Sequence, residues 1–123
     1  MKRKERKPRW EVSYAMKDTA RRVIEDIRNQ VAEYKDRYMF VSQMVVSGAE
    51  IKLSLTRRDV SKSEDVSMLS CSYERRMPDY VSSSGVIYRG TWEEMKEWIM
   101  GGHCIDEVAK TLDSQDKHTC YWD

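Results

Sequence analysis

The chain has 123 residues, and its 22 Lys plus Arg nearly balance its 21 Asp plus Glu, leaving a formal net charge of +1. At this length a single domain with a modest core is expected, and four Trp, seven Tyr and eight Met set the composition apart from that of disordered chains. No run approaches the ~18 to 20 consecutive apolar residues of a membrane-spanning helix, so no contact with a membrane is expected. The basic start is not followed by an apolar h-region, which argues against a secretory signal. Cys71, Cys104 and Cys120 are odd in number and widely spaced, which suits a reducing, cytoplasmic setting better than a disulfide framework.

The small net charge conceals an uneven distribution. Met1–Arg9 holds six basic residues (Lys2, Arg3, Lys4, Arg6, Lys7, Arg9) and one acid, a net +5. Trp10–Gly90 carries 13 basic and 12 acidic residues, and Thr91–Asp123 three basic and eight acidic, a net −5. With Pro8 and no large apolar side chain before Trp10, residues 1–9 read as a flexible basic arm ahead of a single domain over 10–123. Such an arm can follow a nucleic-acid backbone and release counterions, or serve only as a solvated terminus.

From about Glu11, Met16, Ala20, Val23, Ile24, Ile27, Val31, Tyr34, Tyr38, Val41 and Val45 recur in helical steps, marking one stripe of a long amphipathic helix. Asp18 with Arg22 and Glu33 with Arg37 would pair on the opposite face. Past Tyr38 little polar face remains, so Met39–Val46 is either strand or buried helix. The helix reading is preferred, with Ser47-Gly48 as its stop. Ile51, Leu53 and Leu55 alternate with polar residues as in a half-buried strand. Arg57–Asp65 reads as a loop, Val66–Glu74 as a second strand, Ser82–Gly85 as another loop, and Val86–Arg89 as a short third strand.

Thr91-Trp92-Glu93-Glu94 is a capping-box sequence that opens a helix burying Trp92, Met95 and Ile99, and Gly101-Gly102 closes it. A last helix turns Ile105, Val108, Ala109 and Leu112 inward, with Asp106 and Glu107 in its first turn. The expected class is α+β in the order α-β-β-β-α-α: a long N-terminal helix, a three-stranded antiparallel sheet and two C-terminal helices. The stripe of the long helix also offers a route to a homodimer.

Catalytic and metal motifs are missing: there is no nucleophile elbow, Walker loop, H-E-x-x-H or dinucleotide fingerprint. His103, Cys104, His118 and Cys120 have poor zinc spacing, because adjacent side chains on a helix diverge by ~100°. Neither an enzyme nor a cofactor or metal protein is therefore expected. If the first two strands form a hairpin, Arg57-Arg58 and Arg75-Arg76 fall at opposite ends of the sheet, so the arginines make no single patch. Arg75 and Arg76 join the basic arm as candidate nucleic-acid contacts. Trp98 lies on a different helix face from Trp92 and is a candidate partner contact. The aromatic tail Cys120–Asp123 is expected to dock on the core or to form part of an interface.

Three resemblances bear on function. Ile105–Leu112 resembles the first helix of a helix-turn-helix, but Asp113 stands where the turn glycine belongs. The α-β-β-β-α core is similar to a double-stranded-RNA-binding domain, whose basic cluster at the start of the final helix is replaced here by Trp92-Glu93-Glu94. The α-β-β-β-α-α plan is similar to small phage and mobile-element proteins, including some anti-CRISPR inhibitors of type II effector nucleases, although only Thr91–Asp123 is acidic. That last resemblance implies a non-catalytic inhibitor or adaptor acting on a protein or ribonucleoprotein surface. In it Glu93, Glu94, Glu97, Asp106 and Glu107 would imitate phosphates toward a basic groove, while the arm contacts guide RNA or another acidic surface. The alternative is a nucleic-acid-binding accessory protein using the arm and the arginine pairs.

Overall fold

The computed structural model describes residues 14–58 and 65–117. Seven elements follow in order: α1 (Tyr14–Glu33), β1 (Met39–Val46), β2 (Ala49–Arg57), β3 (Ser67–Arg75), β4 (Val81–Gly90), α2 (Trp92–Met100) and α3 (His103–Lys117). The class is α+β as expected, with four strands where three were anticipated. They form one antiparallel meander in the order β1-β2-β3-β4.

The N-terminal helix stops at Glu33, and Met39–Val46 is a strand, which corrects the preferred helical reading. Phe40, Ser42, Met44 and Val46 turn toward the helices, while Met39, Val41, Gln43 and Val45 turn away. Both faces carry apolar residues, so the period of two was masked and Tyr38, Val41 and Val45 fell by coincidence at helical steps. Ser47-Gly48 is the tip of a two-residue hairpin joining Val46 to Ala49. Its φ values of 52° and 79° are those of a type I′ turn, whose twist matches the strands it connects. Arg37 lies beyond the end of α1 and stacks its guanidinium 4.4 Å from the centre of the Tyr34 ring, so the anticipated pairing with Glu33 gives way to this contact. Asp18 and Arg22 do pair, at 3.2 Å.

The third expected strand begins earlier than its apolar residues suggest. Ser82–Gly85, read as a loop, pairs with Glu74–Cys71 inside β4. Serine has little intrinsic preference for strands, but a long neighbouring strand supplies the ladder that overrides it. Between Leu69 and Ser70 the register shifts, because Leu69 faces Tyr88 and Ser70 faces Val86. This bulge leaves Ile87 without a partner opposite and points Tyr88 toward the helices.

All three helices lie on one face of the sheet. α1 buries Ala20, Val23, Ile24, Ile27 and Val31, while α3 buries Cys104, Val108, Ala109 and Leu112. Between them and the sheet sit Phe40, Ile51, Leu53, Leu55, Leu69, Cys71 and Tyr73. The apolar stripe of α1, a candidate dimer contact from sequence, is thus covered within the fold. The other sheet face is open and bears Ser54, Thr56, Ser70, Ser72, Ser82 and Ser84 beside the exposed Met39, Val45 and Val86. No described helix is long and apolar enough to cross a membrane.

Candidate interaction surface

The acidic residues singled out from sequence sit on α2 and the start of α3. Thr91 caps α2: its hydroxyl accepts from the Glu94 amide at 3.1 Å, and the Glu94 carboxylate accepts from the Thr91 amide at 2.9 Å. A second carboxylate, Asp65, accepts from the Trp92 amide at 3.0 Å. Two acids at a helix N-terminus offset the positive end of its dipole as well as its free amides.

At the other end of α2, Arg28 of α1 donates from Nε to the Ile99 carbonyl and from Nη2 to the Gly101 carbonyl, each at 2.7 Å. Both ends of this nine-residue helix are therefore held by side chains from elsewhere in the chain. That fixes which residues it presents outward.

Those residues are Glu93, Glu94 and Glu97, all exposed, with Asp106 and Glu107 exposed at the start of the adjoining α3. Their roles differ. Glu93 pairs with Lys96 at 3.0 Å, and Glu107 lies 3.9 Å from Lys110. Glu94 is engaged in its cap. Lys96 and Lys110 offset the charge of Glu93 and Glu107, while the pairs themselves are solvated and weak. The structure brings these five carboxylates onto two adjacent helices.

Trp98 is not a free anchor. It is half-buried, and its indole stacks on the Tyr88 ring with centroids 4.4 Å apart and planes 7° from parallel. Trp92 is buried and stacks on Phe40 at 6.2 Å, with the Arg57 guanidinium 4.5 Å from its ring centre. Arg57 also donates to the Lys35 carbonyl, so its charge braces the end of the sheet. No signal in the sequence pointed to this bracing, because a cation over a buried indole depends on which strands become neighbours.

The candidate basic residues separate. Arg57 faces Ser67 at one end of the β2–β3 ladder and Arg75 faces Ala49 at the other, which agrees with the placement expected from the hairpin. Arg75 is only 15% exposed and lies 3.5 Å from Asp116 of α3, which also accepts from the Tyr73 hydroxyl. Arg76 is exposed just beyond the end of β3. Lys2, Arg3, Lys4, Arg6, Lys7 and Arg9 lie outside the described residues, as do His118, Cys120 and the rest of the aromatic tail.

Two buried thiols complete the region. Cys71 donates to Gln115 Oε1 at 3.3 Å, and burial pushes its pKa up to about 12. Burial also raises the pKa of Cys104, with the nearby Arg28 charge acting in the opposite direction. Neither is a poised nucleophile, since reactive thiols need a lowered pKa and access. His103 is exposed while Cys104 is fully buried, so the two adjacent side chains diverge. Among the described residues no group of three His, Cys, Asp or Glu is placed to hold a metal ion. The segment likened to a helix-turn-helix contains no turn at Asp113, because α3 runs unbroken to Lys117.

No protein-family model matches the chain, and neither a curated protein nor a solved structure matches it.

Proposed function

We propose that this chain is a non-catalytic inhibitor or adaptor that binds a protein or nucleoprotein surface through the acidic face of α2 and α3. The observation that carries this reading is the exposure of Glu93, Glu94, Glu97, Asp106 and Glu107 on two adjoining helices whose opposite faces are built into the core. A rigid array of carboxylates is complementary to a basic groove, and it repels nucleic acid itself. Among basic grooves, the nucleic-acid channel of a type II effector nuclease is the partner suggested by the resemblance in overall plan. Lys2, Arg3, Lys4, Arg6, Lys7 and Arg9 would add a contact of opposite sign, to guide RNA or to an acidic protein surface.

The test is binding to a purified type II effector nuclease loaded with guide RNA, read as loss of duplex DNA binding. Glu93→Lys, Glu97→Lys, Asp106→Lys and Glu107→Lys together should abolish the effect while leaving the circular dichroism spectrum unchanged. Glu94 is left in place because it closes the cap of α2. A gel shift on duplex DNA, duplex RNA and single strands forms the second arm. Nanomolar nucleic-acid binding at physiological salt that survives deletion of residues 1–7 would overturn this reading in favour of a nucleic-acid-binding accessory protein.

A further inference from the structure

β1 is an outer strand of the sheet. The Arg57 amide donates to the Tyr38 carbonyl at 2.8 Å, which sets the phase of the β1–β2 ladder. In that phase Phe40, Ser42, Met44 and Val46 turn their backbone groups toward β2. Met39, Val41, Gln43 and Val45 turn theirs to the free edge. Gln30 of α1 agrees with this phase, since its Nε2 reaches over to donate to the Val41 carbonyl at 2.7 Å. A carbonyl oxygen has two lone pairs, so that bond does not close the position to a second donor.

Outer strands of soluble proteins usually carry a lysine, a proline or a bulge that discourages pairing. β1, with the sequence MFVSQMVV, has no charge and no proline, and it pairs with β2 in unbroken register. Its Met39 and Val45 side chains are 55% and 71% exposed on the open face. The opposite outer strand, β4, has its bulge at Ile87 and an exposed Arg89.

Among the described residues only Gln30 reaches over this edge, and the edge is also self-complementary. An antiparallel copy centred on Ser42 sets Met39 against Val45 of the second copy and Val41 against Gln43. The outward amides and carbonyls of all four residues then face one another. Apolar meets apolar at the exposed ends of the seam, and no charge meets its like. On α1, Arg22, Asp26, Gln30 and Glu33 follow one another at helical steps along the flank that Gln30 shows to overlie this edge. A two-fold copy runs that row in reverse, which brings the arginine end of one toward the glutamate end of the other.

We infer that the chain forms a two-fold dimer by antiparallel pairing of β1 with β1 of a second copy, making one continuous eight-stranded sheet. This goes beyond the proposed binding role and uses a different surface, so each can fail without the other. The test combines light scattering on the intact chain with hydrogen exchange at the amides of Met39, Val41, Gln43 and Val45. A dimer mass with those four amides protected is expected. Met39→Lys with Val45→Lys places ammonium groups opposite one another across the seam and should return the mass to that of a monomer, with the four amides exchanging fast. Val45→Lys alone, which sets an ammonium against the apolar Met39 of the second copy, gives the same readout should the double variant fail to fold. A wild-type monomer at high micromolar concentration overturns the inference. So does a dimer in which the four amides exchange fast, or one whose mass the folded lysine variants leave unchanged.

Discussion

Arg28 and Ile99 are joined by a 2.7 Å hydrogen bond from guanidinium to main-chain carbonyl, between residues 71 apart in sequence. The final carbonyls of a helix lack partners within it, and here a cation supplies one at the negative end of the dipole. Arg28→Met keeps the length of the stem and removes both this bond and the one to Gly101. A loss of about 2–3 kcal/mol in unfolding free energy is expected, from hydrogen bonds with a charged donor and carbonyls left part-buried. Urea denaturation of the two proteins measures it.

The β1–β2 turn offers a pair of substitutions with opposite signs. Gly48 has a φ of +79°, where a Cβ is strained although nothing lies within 4 Å of the site. Gly48→Ala should therefore cost about 1 kcal/mol for reasons of backbone alone. Ser47 also has a positive φ, at 52°, and asparagine tolerates that region better. Ser47→Asn should raise stability by a few tenths of a kcal/mol, visible as an upward shift of the thermal midpoint.

The Cys71 thiol gives stability a pH dependence on the alkaline side. Its pKa rises from 9.0 to about 12 in the folded protein, because burial disfavours the thiolate. Between those values the unfolded chain releases the proton and the native state keeps it. The stabilising contribution is therefore whole below pH 9 and declines as pH rises toward 12, by about 1.4 kcal/mol per pH unit. Cys71→Ala should flatten the slope of unfolding free energy between pH 9 and 10.5 relative to wild type. An unchanged slope would remove the thiol from the account.

Asp116 ties the last turn of α3 to β3 through Arg75 and Tyr73. Asp116→Ala should cost about 1–2 kcal/mol and let the final turn of α3 open. Hydrogen exchange of the α3 amides would show faster exchange toward the C-terminal end than around Cys104.

How far the sequence disclosed this molecule depended on whether one face of each element was polar. β2 was legible because Lys52, Ser54 and Thr56 alternate with Ile51, Leu53 and Leu55. The cap of α2 was legible because Thr91 and Glu94 stand three apart. β1 was not, since Met39, Val41 and Val45 make its open face nearly as apolar as its buried one. The β-branched Val41, Val45 and Val46 and the two-residue Ser47-Gly48 step were the signals that favour a hairpin. The first half of β4 was hidden behind four residues that usually make turns. The charge of Glu93, Glu94, Glu97, Asp106 and Glu107 was readable from the sequence, and each is exposed, whereas the engagement of Trp98 with Tyr88 and of Arg75 with Asp116 depends on tertiary neighbours no local pattern encodes.

Because each strand pairs with its neighbour in sequence, the sheet can be assembled through short loops, one hairpin after another. The costly closure is the helical layer, where α1 must find α2 and α3 across most of the chain. Contacts of that range carry the largest loop-closure cost, from which late formation during folding is expected. The Arg28 clamp should therefore act as a latch on the finished molecule: the loss of about 2–3 kcal/mol on its removal should appear as unfolding quickened by roughly 30- to 150-fold, with the refolding rate almost unchanged.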